Sequence, residues 1–129
     1  MNSKCAVALA VAAGFALGGL AVQGLHAQAK PAAYYIAEIT VKDRDAYMTE
    51  YVPLASKAEP EQYGAMLLVR GGKTITTQGR APASRVLLLE FPSLDKAEAW
   101  WNSPAQKAAQ AVGDKYATFR SYLAEGVAQ

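Results

Sequence analysis

Histidine and cysteine are almost missing from this sequence, which holds one of each in 129 residues, His26 and Cys5. Both precede residue 30, so the remaining 100 residues contain neither. That absence excludes Ser-His-Asp and Cys-His nucleophile systems there, because both need an imidazole base. It also excludes zinc sites built on imidazole or thiolate, and iron–sulfur clusters or haem held by Cys or His. Disulfides have no partners to form from. Charge is scarce as well. Lys4 is the one charged residue before Lys30, and the rest of the chain sets 12 basic residues against 11 acidic ones, a net charge of +1. A nucleic-acid site would need a basic stripe, and none is expected. Carboxylate, Tyr, Lys and Arg chemistry stays open.

The first residues read as an address. A positive n-region at Lys4 precedes an apolar run from Cys5 to Leu25, which ends at Ala27-Gln28-Ala29, a small-x-small site. This is the pattern of a secretory signal peptide cleaved after Ala29. The competing reading is an uncleaved anchor, since about 20 apolar residues can span a bilayer. Cys5 stands at the start of the apolar run, not after it, and so does not suit a lipidated cysteine. The expectation is a periplasmic or secreted protein of residues 30–129, one domain, with no stable membrane association after cleavage.

What remains alternates between two periodicities. Tyr34 to Val41 is rich in β-branched and aromatic residues, with Tyr35, Ala37, Ile39 and Val41 on one face. Asp43 offers an N-cap to a helix carrying Tyr47, Tyr51, Leu54 and Ala58 at helical spacing. Pro53 predicts a kink or early stop near Val52. Gly64 closes that segment with a turn. Met66 to Val69 forms a short strand, Lys73 to Gln78 a second short arm, and residues 79–84 a loop. Arg85 to Phe91 is apolar on both faces, as a strand covered on both sides would be. Ser93 caps a second helix, and Ser103-Pro104 restarts it. Its apolar stripe is expected to include Ala97, Trp100, Trp101, Ala108, Ala111 and Val112. Thr118 to Glu125 closes the chain as a last strand.

The order β-α-β-β-α-β is the split βαβ, or ferredoxin-like, α+β arrangement. Its four-stranded antiparallel sheet receives both helices on one face. Whichever face Arg85, Leu87, Leu89 and Phe91 occupy, Val86, Leu88 and Glu90 occupy the other, so neither face is polar enough to stay wet. A second copy is the simplest cover, and a homodimer is predicted.

The run from Ala33 to Val127 resembles the domain of unknown function 1330 (DUF1330) family. The likeness rests on YYIAEITV followed by DRDAY, on Val69-Arg70-Gly71-Gly72, on Leu89-Glu90-Phe91-Pro92-Ser93, on Ala99-Trp100-Trp101-Asn102-Ser103-Pro104, and on Ala124-Glu125-Gly126-Val127. The resemblance implies a dimeric α/β-barrel, a superfamily that also holds cofactor-free monooxygenases, lactone isomerases and haem-degrading enzymes. Fold alone does not carry their functions over. The chain departs from the family pattern after Ser103-Pro104, where an acid and an aromatic are replaced by Ala105 and Gln106, and again where a later arginine is replaced by Gly113.

Arg70, with Gly71 and Gly72 beside it, reads either as a cation for a ligand carboxylate or as an arginine before a hairpin turn. Glu38 and Glu90 sit within apolar strands. Each reads as a base with a raised pKa or as a partner for Arg70, Arg85 or Arg120. Tyr47, Trp100 and Trp101 can wall an apolar cavity or pack as core, one tryptophan reaching the dimer interface. Asn102 and Ser103 are ligand candidates, with capping the simpler role for Ser103. No metal site and no cofactor are called for. Two functions follow: a dimeric domain binding a small organic molecule, or a metal-free enzyme of the cofactor-independent monooxygenase or isomerase type. In the second, Glu38 or Glu90 would be the base and Arg70 the oxyanion partner. A purely structural dimer is the third.

Overall fold

Alternating burial builds the first strand. In a computed structural model describing residues 30–129, β1 (Ala33–Val41) buries Ala33, Tyr35, Ala37 and Ile39 in turn, while the residues between them stay partly exposed. The period of two puts these side chains on one face. The leader, its cleavage after Ala29, Cys5 and His26 lie outside the described residues.

The chain continues through α1 (Arg44–Ala46), a π turn (Tyr47–Tyr51), α2 (Val52–Lys57) and a 3₁₀ turn (Pro60–Tyr63). Asp43 caps α1, its carboxylate accepting from the Ala46 N–H at 3.1 Å. Pro53 does not stop the helix as its lack of an N–H suggested. The turn before it widens instead, and the Val52 N–H donates to the Tyr47 carbonyl, five residues back. That π turn absorbs the missing donor, so α2 runs on with Pro53 in its first turn, where proline is tolerated. Gly64, at φ +82°, then turns the chain into β2 (Met66–Arg70).

Residues 71–84 form no regular element, so the expected arm at Lys73 to Gln78 is absent. With Thr74, Thr76 and Thr77 spaced along it, that stretch has strand-like composition but no large apolar face to bury, and its residues are exposed. β3 (Arg85–Phe91) follows, then α3 (Leu94–Trp101), α4 (Pro104–Tyr116) and β4 (Ala117–Glu125). Ser93 and Ser103 cap the last two helices, each accepting from a main-chain N–H at 3.3 Å. Of the expected stripe on α4, Val112 packs against the core but the two alanines are out of phase. Ala108 and Ala111 are exposed, and Gln106, Ala109 and Gly113 are buried. The break at Asn102 resets the helical phase, so counting on from Trp101 lands on the wrong side.

The four strands form one antiparallel sheet in the order β2-β3-β1-β4, the ferredoxin-like arrangement. Its helix-covered face carries Tyr35, Ile39, Leu89 and Phe91, packed against Tyr47, Tyr51, Ala97, Trp100 and Ala109. The opposite face is apolar in its middle. Ile36 lies between Leu88 and Tyr122, with Tyr34, Val86, Met66 and Val69 around them, since registered partners point the same way. Glu38, Arg120 and Glu90 are its charges.

Candidate functional site

The π turn that accommodates Pro53 also shapes the site. It buries both Tyr47 and Tyr51, whose rings meet at 4.9 Å between centroids. Across from them the sheet presents Tyr35 and Ile39 from β1, and Leu87, Leu89 and Arg85 from β3. Leu67 and Arg70 come from β2. Trp100 of α3, Gln106 of α4, and Pro60 and Glu61 of the 3₁₀ turn complete the walls. Together they enclose an open-sided cleft of about 240 Å³ between the sheet and the helices. Ligand pockets start at roughly 300 Å³, so this one suits a molecule of one ring or a short chain.

Aromatic packing fixes the inner end. Trp100 meets Tyr35 edge to face at 5.1 Å and Phe91 at 5.4 Å, and it is 4 % exposed. Its indole Nε1 is buried with no hydrogen-bond partner among the described residues. A buried indole N–H normally has one. Burial raises the hydroxyl pKa values of Tyr35, Tyr47 and Tyr51, because desolvation penalises the phenolate. The Arg85 charge opposes that rise at Tyr47 and Tyr51, which places the guanidinium within electrostatic reach of both hydroxyls.

Of the residues singled out from sequence, Tyr47, Arg70 and Trp100 meet at this cleft. Glu38 and Glu90 do not. They project from the other face of the sheet, registered against Arg120, Val86, Tyr34 and Met66. A proton relay from either of them to Arg70 would have to cross the sheet. Glu38, moreover, accepts from the Ala83 N–H and from Arg120, each at 2.9 Å, and these bonds hold its pKa below the usual carboxylate range rather than above it. Arg120, not Arg70 or Arg85, is the partner of Glu38.

Gly71 and Gly72 adopt φ of +66° and +87°, and the Gly71 N–H donates to the Val86 carbonyl at 2.8 Å. They turn the chain out of β2 and do not line the cleft. Ser103 is buried. Its Oγ accepts from the Gln106 N–H and donates to the Trp100 carbonyl at 2.7 Å, which ties together the two helices that carry Trp100 and Gln106. Asn102 is exposed at that junction. Trp101 stacks on Tyr35 at 5.7 Å, with the Lys107 ammonium 4.6 Å from its ring centre. Among the described residues no three His, Cys, Asp or Glu side chains gather as a metal site would require.

Sequence reasoning had no place in the site for Arg85, Tyr51, Tyr35 or Gln106. The signal for Arg85 was present in the period of two, which gives it the phase of Leu87 and Leu89. Tyr51 was hidden, because only the π turn brings it and Tyr47 onto one wall.

Fold and cleft together define a ferredoxin-like α+β domain whose helices shelter one sheet face and a cavity beneath them. The chain belongs to the Domain of unknown function (DUF1330) family, which it matches over residues 32–127. Among the solved structures that share the fold are the following three. The RPA0582 protein of unknown function from Rhodopseudomonas palustris is 13% identical, with a TM-score of 0.56 over 76% of this chain and 84% of that one. A Caulobacter crescentus protein provisionally named an antibiotic biosynthesis monooxygenase is 16% identical, with a TM-score of 0.53 over 77% and 92%. SnoaB, a cofactor-independent oxygenase from Streptomyces nogalater, is 10% identical, with a TM-score of 0.50 over 75% and 94%. No curated protein matches the sequence.

Proposed function

We propose that this chain is an exported, homodimeric binding domain that holds a small, largely apolar organic molecule in the cleft between sheet and helices. One observation carries the reading: the cleft is open-sided, holds about 240 Å³, and is walled by Tyr35, Tyr47, Tyr51, Leu89 and Trp100 with Arg70 and Arg85 among them. A concave, mostly apolar pocket with a few polar groups is the usual form of a small-molecule site.

The homodimer rests on the helix-free sheet face, and export rests on the leader pattern with its site after Ala29. The enzyme reading loses the two bases that the sequence suggested, because Glu38 and Glu90 face away from the cleft, where Glu61 is the carboxylate present. The tyrosine hydroxyls that do line it are held protonated by burial. The oxygenase relatives share the fold at 10–16% identity, and fold does not transmit chemistry.

Native mass spectrometry of protein purified from its own cells tests the proposal. A dimer carrying an added mass that is released on denaturation is the expected result. A dimer of bare chains, with a tryptophan spectrum indifferent to a panel of small aromatic and aliphatic compounds, would falsify the binding role.

A further inference from the structure

We propose that the cleft takes an organic acid, its carboxylate seated between Arg70 and Arg85 and its flat apolar body lying along the aromatic wall toward Trp100. This rests on the reading of the cleft as a binding site and names what it binds.

The register puts the two arginines together. Arg70 is the partner of Leu87, and Arg85 stands two residues from Leu87 on the same face of the neighbouring strand. Such diagonal neighbours lie roughly 7–8 Å apart, within reach of long side chains. Both line the cleft, and among the described residues neither makes an ion pair. Glu61 lines the same cleft from the 3₁₀ turn, and it too forms no ion pair with them. Two like charges side by side on a sheet destabilise each other unless a counter-charge joins them. A carboxylate meets guanidinium groups through paired, charge-assisted hydrogen bonds, which an isolated Lys would not match.

The far end of the cleft has the opposite character. Arg85 is opposite Ile39 in β1, and Leu89 is opposite Tyr35, on which Trp100 packs. The four steps from Arg85 to Leu89 cover about 14 Å at about 3.4 Å per residue. Leu87, Leu89, Tyr35 and Trp100 line that path. A charged group is therefore met at one end and a ring at the other.

Calorimetric titration with two isosteric probes, cinnamate and cinnamamide, tests the assignment on the purified protein. Cinnamate is expected to bind at least tenfold more tightly than cinnamamide. Its affinity alone should fall as salt is raised, since salt screens the charge. Arg70→Gln and Arg85→Gln should each weaken cinnamate at least tenfold and erase most of its preference over cinnamamide. Equal binding of acid and amide overturns the organic-acid assignment while leaving a binding cleft. Binding of neither probe also overturns it, and the native mass measurement then decides the binding role separately. The salt and amide comparisons need no variant, so a misfolded substitution does not blunt the test.

Discussion

At the scale of single residues, Gly113 shows how one missing atom positions the cleft. A Cβ there would stand 2.7 Å from the Tyr51 ring and 3.1 Å from Phe119. The ring meets Phe119 at 5.5 Å and has little room to yield. Alanine is the better helix former by about 1 kcal/mol. Overpacking a tight contact costs typically 1–3 kcal/mol. Gly113→Ala is therefore expected to lower stability by about 1 kcal/mol and to displace Tyr51 from the cleft, read by chemical denaturation together with near-ultraviolet circular dichroism. A gain in stability would show that the ring moves freely. The sequence marked Gly113 as a departure from its relatives but gave no sign of this contact, because the tyrosine arrives from a helix about sixty residues earlier. Residues whose partners are local were legible. Asp43, Ser93 and Ser103 each bond a main-chain N–H three residues on, and cap chemistry needs nothing farther away.

Glu38 gives a second prediction at this scale. Its folded pKa lies below the ordinary value, so the folded state binds its proton less readily than the unfolded chain does. The stabilisation is present at neutral pH and fades as pH falls through the acidic carboxylate range to the folded value. Glu38→Gln should flatten the acid limb of a stability-against-pH curve in that window. An unchanged acid limb would mean that the bonds from Ala83 and Arg120 are equally favourable to a neutral side chain.

Among the elements, the junction of α3 and α4 has the clearest consequence. Ser103 bonds both the last turn of α3 and the first turn of α4, and so sets Trp100 and Gln106 relative to each other. Ser103→Ala should cost about 1 kcal/mol, the usual value of an N-cap, and weaken ligand binding by loosening this corner. Ser103→Asp, which can still cap, should restore most of the stability in thermal melts; equal losses in both variants would rule out capping as its role. Strand and helix order was legible because period and caps are local. The π turn was not, because Pro53 announces a disturbed helix without saying whether the chain breaks or widens. Nor was the phase of α4, since a helix that restarts after a break keeps no memory of its predecessor's faces. Lys73 to Gln78 forms no strand because its threonines give it strand-like composition without a large apolar face to bury.

For the whole molecule, the question is what covers the second face of the sheet. Helices shelter the face of Tyr35, Ile39 and Leu89. On the other, Ile36, Leu88 and Tyr122 stand side by side with Met66 and Val69 near them, and Tyr122 and Met66 are 48% and 58% exposed in the single chain. Glu38 and Arg120 neutralise each other at one end of that face, and Glu90 sits near the other. A face apolar in its centre with charge toward its ends has the layout of an interface core and rim. A specific interface of ordinary size buries about 800 Å² per partner, which a four-stranded sheet can supply. Sedimentation velocity is expected to show a dimer at micromolar concentration. Leu88→Lys, which places an ammonium in the middle of that face, should give a folded monomer, because two unpaired charges would meet across a two-fold axis. Since Leu88 points away from the cleft, ligand affinity per chain should be retained. A wild-type monomer, or a Leu88→Lys chain that stays dimeric, would place the contact between copies elsewhere. The sequence carried this argument as far as the alternation in Arg85 to Phe91 reaches. It could not say that Glu38 and Arg120 cancel, because that pairing depends on the register of β1 against β4.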